Sequence, residues 1–190
     1  MGKLSEALSG SADLMAKRLL GCYLSRTFAH QRVVCMIVET EAYDESDPAS
    51  HSYRGITPRN SVMFEEAGHL YVYLSYGIHC CMNIVTGAEG HASAALIRAV
   101  EPESGLELIK ANRPNVRKEK MLTNGPGKVC EALAIGLEFN GHDLTREPIT
   151  LSLDKPLAPS QIAASTRIGI TRAMDRKWRF YIKDNSFVSI

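Results

Sequence analysis

The stretch that most constrains the fold is Val33-Val34-Cys35-Met36-Ile37-Val38-Glu39-Thr40-Glu41-Ala42-Tyr43. Its first six residues are apolar and four of them are β-branched. Such a run reads as a strand buried on both faces, and a sheet has to be built around it. The run then turns polar. Side chains of a strand alternate sides, so Glu39, Glu41 and Tyr43 fall on one face, each about 6.6 Å from the next. Two carboxylates and a phenol therefore emerge together where a core strand leaves the core. A carboxylate in that position is partly desolvated, which is costly unless the group is partnered or used. A strand end meeting solvent with ordinary surface glutamates fits the spacing as well.

With 190 residues, 45% of them hydrophobic, the chain can bury a substantial core and reads as one domain over 1–190. Twenty-two basic residues against 21 acidic ones, net +1, do not announce a nucleic-acid binder. An anionic partner would have to be met by a local patch. The five cysteines are an odd number, and Cys35, Cys80 and Cys81 lie in strand-like apolar runs with no CxxC pair. Reduced, buried thiols suit this better than a disulfide framework or a zinc site. The N-terminal residues lack the apolar stretch of a signal peptide, and no run approaches membrane-spanning length. The expectation is a soluble chain without a membrane partner, cytoplasmic or nuclear rather than secreted.

Ser11-Ala12-Asp13 precedes Leu14, Met15, Leu19 and Leu20 at helical spacing, with Gly21 as the stop. Cys22 to Phe28 alternates like a strand and returns through Ala29-His30-Gln31 as a hairpin. Residues 44 to 62 are polar and contain His51, Arg59 and two prolines, a loop long enough to be functional. From His69 to Val85, Tyr71 and Tyr73 oppose Leu70, Val72 and Leu74, and beyond Ser75-Tyr76-Gly77 the alternation resumes. That is a β-hairpin with an aromatic residue at its tip. A buried strand from Ala94 to Val100 comes next, with Pro102 expected to open a helix through Lys110. Arg113 to Lys120 is a basic loop, and Asn124-Gly125-Pro126-Gly127-Lys128 starts a helix expected to run to Ile135 and stop at Gly136. Its N-terminus could hold a phosphate, or be a capped helix and nothing more. Strands follow at Ile149 to Leu153, Arg167 to Thr171 and Trp178 to Lys183, with Arg172, Arg176 and Lys177 in a basic loop.

A carboxylate at a strand end, tyrosines on a neighbouring strand and a histidine in the intervening loop describe an aromatic-walled pocket with one base. Flat walls favour a flat ligand, with stacking worth about 1–3 kcal/mol per nucleobase. Tyrosines are also simply good strand residues, and His51 fits an ordinary loop histidine. A paired-carboxylate glycoside hydrolase is conceivable, but such pairs flank the bond from two sides, which neighbouring positions of one strand do poorly.

Eight segments in order resemble the alkyladenine (3-methyladenine) DNA glycosylase family. They are Val38 to Tyr43, Ala49 to Ser52, Thr57 to Asn60, Leu70 to Gly77, Cys81 to Asn83, Ile97 to Pro102, Gly125 to Lys128 and Trp178 to Tyr181. Together they cover nearly the whole chain from Asp13 onward. The resemblance implies an α+β fold, a single domain in which helices pack around a curved antiparallel β-sheet. It also implies an enzyme that flips damaged purines out of double-stranded DNA and hydrolyses their N-glycosidic bond as a monomer. No cofactor and no metal are expected, and no His/Cys/Asp cluster has ligand spacing.

Position by position, the resemblance makes Glu41 the general base that activates water, and makes Tyr43, His51 and Tyr73 the walls of the base pocket. Asn83 matches the residue that crowds the exocyclic amino group of normal guanine, and Tyr76 the wedge that fills the gap left by the flipped nucleotide. Arg98 matches a residue near that nucleotide's backbone, with Arg59 and Lys128 as further phosphate contacts. Glu39 has no counterpart role, and a structural carboxylate bonded to backbone is expected. His79 stands where some relatives carry a tyrosine. The net charge is low for the family, which predicts reliance on local cations. The competing class is a noncatalytic binder of damaged nucleic acid that keeps the same pocket.

Overall fold

The long apolar strand is the centre of the molecule. In the computed structural model, which describes residues 2–189, it is β2 (Gln31–Asp44), and it pairs on both sides. Met1 and Ile190, the ends of the expected 1–190 domain, lie outside the described residues. On one edge β2 pairs with β5 (Ser93–Ser104). On the other it pairs first with β1 (Tyr23–Phe28) and then, over Glu39 to Glu41, with β8 (Arg179–Ile182). The remaining strands are β3 (Leu70–Ser75), β4 (His79–Val85), β6 (Ile149–Ser152) and β7 (Ile162–Ser165). The main path runs β3-β4-β5-β2-β1-β6, every pairing is antiparallel, and the sheet curls into half a barrel. Four α-helices surround it among the described residues: α1 (Lys3–Ala7), α2 (Ala12–Arg18), α3 (Leu106–Asn112) and α4 (Pro126–Ala132). The result is the expected single-domain α+β fold.

The main core lies between the sheet and its helices. Val33, Cys35 and Ile37 of β2 enter it, joined by Leu24, Met82, Ile84, Ile97 and Val100 from neighbouring strands. Strict alternation would carry Glu39 onto that same face. Instead the β2–β5 register shifts between Ile37 and Thr40, leaving Val38 and Glu39 both on the opposite face. Core contact resumes with Ala42, and Thr40 donates its hydroxyl to the Ala16 carbonyl of α2 at 2.8 Å. This irregularity turns Glu39, Glu41 and Tyr43 away from the main core.

Three local expectations are corrected. Pro102 does not open a helix. It lies within β5, opposite Cys35, where the register slips again and beyond the stretch paired with β4. A proline without an N–H is tolerated at such an edge. The helix waits for Gly105, whose φ of 77° places its backbone against the Arg32 carbonyl, where a Cβ would stand 2.8 Å away. The α4 helix ends at Ala132 rather than Ile135, and Ala134 rather than Gly136 takes the left-handed turn (φ 46°). The strand expected from Arg167 to Thr171 does not form; β7 precedes it, and residues 166–171 cross the sheet face as an irregular strap. Its groups bond to side chains instead of a ladder, and Gly169 has a φ of 77° that breaks extension. The short helix α1 had no signal in the sequence.

Candidate active site

On the face opposite the main core, a cavity of about 590 Å³ opens beside the C-terminal half of β2. This is within the range of small-molecule sites. Glu41, Tyr43, His51, Tyr73, Asn83 and Arg98 all line it, and Tyr76 and Arg59 stand at its border. The residues singled out in the sequence are therefore brought together, apart from Lys128. Pro126 of the same helix reaches the lining, while the Lys128 ammonium bonds to Asn124 Oδ1 at 2.8 Å.

Glu41 is fully buried, and three donors hold it. Its Oε1 accepts the Ile168 amide at 2.8 Å and faces the Arg98 guanidinium at 3.3 Å. Its Oε2 accepts only the Tyr43 hydroxyl, at 2.9 Å. A carboxylate offers about four lone-pair sites, so Oε2 keeps acceptor capacity beyond the Tyr43 bond, on a residue that lines the cavity. Burial, and then the neighbouring Glu41 carboxylate, push the Tyr43 phenol far above its ordinary value. Tyr43 thus stays protonated and donates.

Below Glu41 lies a second buried carboxylate. Glu39 takes the Arg98 Nε at 3.2 Å, the Arg179 Nε at 2.5 Å and the Ser189 amide at 2.6 Å. The expected backbone bond is present, but two guanidiniums accompany it. They come from β5 and β8, the strands that flank β2 at this point. Two carboxylates against two arginines leave a charge-balanced cluster, and the matched pairs offset the cost of burying ions. Arg98, expected near the nucleotide backbone, is thus buried at the cavity floor, bridging Glu39 and Glu41.

The walls are aromatic. Tyr71 and Tyr73 stack with centroids 5.6 Å apart, and the His51 ring meets Tyr73 edge-on at 4.6 Å. His51 Nδ1 also shares a hydrogen bond with the Tyr71 hydroxyl at 2.9 Å. Burial, and then the nearby Arg59, lower the His51 pKa, so the ring is neutral at neutral pH. Arg59 lies over the Tyr73 ring at 5.6 Å. Asn83 is buried, and its amide donates to the Tyr71 carbonyl at 3.1 Å, which fixes its orientation. Tyr76 stands at the hairpin tip, 87% exposed. The Ile78 amide closes its turn onto the Ser75 carbonyl, and both central residues, Tyr76 and Gly77, have positive φ (50° and 70°). Glycine takes that conformation freely, whereas a tyrosine there costs about 1–2 kcal/mol. Positive φ at both positions is the geometry of a two-residue hairpin turn, and it leaves the Tyr76 ring projecting from the tip.

Sequence reasoning missed three contributors. Tyr71 shared a face with Tyr73, so the alternation already placed it at the wall, but nothing announced its bond to His51. Asp47 and Arg167, 120 positions apart, form a fully buried two-point ion pair, and Arg167 also donates to the Ala42 carbonyl at 2.9 Å. Arg167 lies over the Tyr43 ring at 4.6 Å, so the pair backs one wall and anchors the strap that delivers the Ile168 amide. The third contributor is that amide itself. Among the described residues, no group of three His, Cys, Asp or Glu side chains is placed to hold a metal ion.

This geometry meets a direct comparison of sequences. The family model for methylpurine-DNA glycosylase (MPG) matches residues 6–186. The chain belongs to the methylpurine-DNA glycosylase family. It is an enzyme of the DNA glycosylase class, with a part in DNA repair. Relatives match over most of their length. A Carboxydothermus hydrogenoformans protein named "Putative 3-methyladenine DNA glycosylase" is 49% identical over 177 residues, 93% of this chain and 92% of the relative. Proteins of the same name from Methanoculleus marisnigri and Nitrosospira multiformis are 48% and 43% identical, covering 92% and 100% of this chain and 92% and 94% of their own. In this family member, a buried carboxylate with spare acceptor capacity lines an aromatic-walled cavity, with an exposed tyrosine at its border.

Proposed function

We propose that the chain is a monofunctional DNA glycosylase that extracts alkylated purines from duplex DNA and hydrolyses their N-glycosidic bond with a water activated by Glu41. The observation that carries this reading is Glu41 itself, a buried residue of the cavity lining with acceptor capacity left on Oε2. Oε2 takes a proton from water as the water oxygen bonds to C1′. The C1′–N bond breaks with its electron pair going to the base, which cancels the positive charge an alkylated purine carries. The carboxylate also stabilises the sugar as positive charge develops on it. A neutral His51 suits such a base, because it sets no like charge against it. The described lining of the cavity contains no lysine, so the walls offer no amine for a covalent sugar adduct and water is left as the nucleophile. Tyr76 fills the gap in the stack, and the enzyme acts as a monomer without metal or cofactor. The relatives named for 3-methyladenine support alkylated adenine as a first substrate, with deaminated and etheno purines as the next to compare.

The deciding experiment incubates purified protein with duplexes carrying single lesions and measures release of free base. Release from alkylated substrates, with no enzyme–DNA adduct trapped by borohydride, is the expected result. Tight lesion binding without release would make the chain a noncatalytic binder, and a trapped adduct would mean lyase chemistry.

A further inference from the structure

The loop of residues 172–177 beyond the strap takes no part in the chemistry above, yet it is built as part of the cavity rim. Strap and loop together are tied to Ala42, the residue between Glu41 and Tyr43, near both ends. Arg167, where the strap begins, donates to the Ala42 carbonyl at 2.9 Å, and the Ala42 amide donates to the Trp178 carbonyl at 2.8 Å. Between these anchors the chain reverses at Ala173, which has a φ of 46°, and Arg172 lines the cavity. Arg176 lies over the Trp178 ring at 4.7 Å, and Arg167 approaches the same ring at 5.5 Å.

The charges of this loop are uncommitted. Arg98, Arg113, Arg146, Arg167 and Arg179 each meet a carboxylate. Among the described residues Arg172, Arg176 and Lys177 meet none, although Asp175 stands in the same loop. A surface loop that merely needed solvation would gain from pairing with that aspartate. Arg176 is held by stacking instead, which orders a guanidinium while leaving its N–H fork free. An exposed guanidinium on the cavity lining, Arg172, and a stacked one four residues on, Arg176, neither paired with a carboxylate, suit a polyanion with regularly spaced charges. A chain of net charge +1 has little general attraction for such a partner, so local groups have to supply it.

We infer that Arg172 and Arg176 grip backbone phosphates of the DNA beside the extracted nucleotide, making the 172–177 loop a second hold across the cavity from the Tyr76 hairpin. This rests on the glycosylase reading above for the identity of the polyanion. Each phosphate contact contributes about 0.9 to the slope of log K against log salt on duplex DNA. The test measures binding of an undamaged duplex from about 50 to 200 mM salt, the range over which such slopes are read, for four proteins. The wild type and Arg32→Ala should share one slope, because Arg32 lies nine residues from Glu41 on β2, about 30 Å away. Arg172→Ala/Arg176→Ala should lower the slope by about 1.8, two contacts' worth. Arg172→Lys/Arg176→Lys should restore most of it, which a purely structural role for the Trp178 stack would not allow. A double alanine variant with the wild-type slope overturns the inference while leaving the glycosylase reading intact. A wild type that excises no base and binds no duplex overturns both.

Discussion

Asp47→Ala removes one half of a pair whose side chains are both fully buried, leaving the Arg167 guanidinium without its anion. Breaking such a pair from one side costs about 3–5 kcal/mol, because the remaining charge stays desolvated. Among the described residues no other carboxylate bonds to it: Arg167 keeps the Ala42 carbonyl and only the more distant charge of Glu41, and its Nε already has no partner. The Ala49 amide, which donates to Asp47 Oδ1 at 3.1 Å, loses its acceptor as well. At this chain length each kcal/mol moves Tm by roughly 2–4 °C, so the melting point should fall by about 6–20 °C. The double variant Asp47→Ala/Arg167→Met should recover much of that loss, since no orphan charge remains. Urea unfolding of the two single variants, the double variant and the wild type gives the coupling directly. A single variant destabilised by less than about 1 kcal/mol, the range of an exposed pair, would refute the argument. So would a double variant that costs the full sum of the singles.

Tyr76→Ala should slow excision from duplex DNA more than from a single strand, where unstacking costs less; equal losses would make Tyr76 a packing residue. Asn83→Ser should raise excision of guanine-type relative to adenine-type lesions, because it opens the space that a fixed amide occupies. An unchanged ratio with a lower Tm would leave Asn83 purely structural. His51 has a lowered pKa, so above about pH 6.5 it is neutral in both folded and unfolded chains and its contribution is intact. As pH falls below that value the unfolded chain takes up the proton first, and stability is lost. Melts from pH 7.5 to 5.5 should therefore fall less steeply for His51→Gln than for the wild type, and parallel curves would contradict the assignment.

The strands that build the site were legible because their patterns are local. The apolar run of β2 and the alternation across Tyr71 to Asn83 each announce an element within a dozen residues. That Glu39, Glu41 and Tyr43 share a face followed from the two-residue period of a strand. That this face is opposite to Val33, Cys35 and Ile37 did not follow, since it depends on a register shift set jointly by β2 and β5. Pro102 misled for a related reason: it is a strong local signal for a helix start, overruled by its place on a sheet edge. The Asp47–Arg167 pair and the Glu39 cluster join residues 120 and 140 positions apart, and no neighbouring residue foretells them. The arginine at 167 even read as the start of a strand, because the sequence does not show that Arg167 and Ile168 bond inward.

The central claim is that Glu41 is the base, and single-turnover excision by Glu41→Gln tests it most directly. The amide keeps the size of the side chain, and its oxygen can accept from Ile168 while its NH2 group, standing where Oε2 was, donates to the Tyr43 oxygen instead; it cannot take a proton from water. Loss of a general base slows a reaction by about 10²–10⁴-fold. Excision of an alkylated purine should fall at least that far while the protein stays folded and binds the lesion, with a lower Tm because Arg98 loses one of its two carboxylates. Glu39→Gln is the comparison: it disturbs Arg98 and Arg179 and should lower stability, yet retain more excision than Glu41→Gln. A folded Glu41→Gln protein that releases base at the wild-type rate would contradict the account.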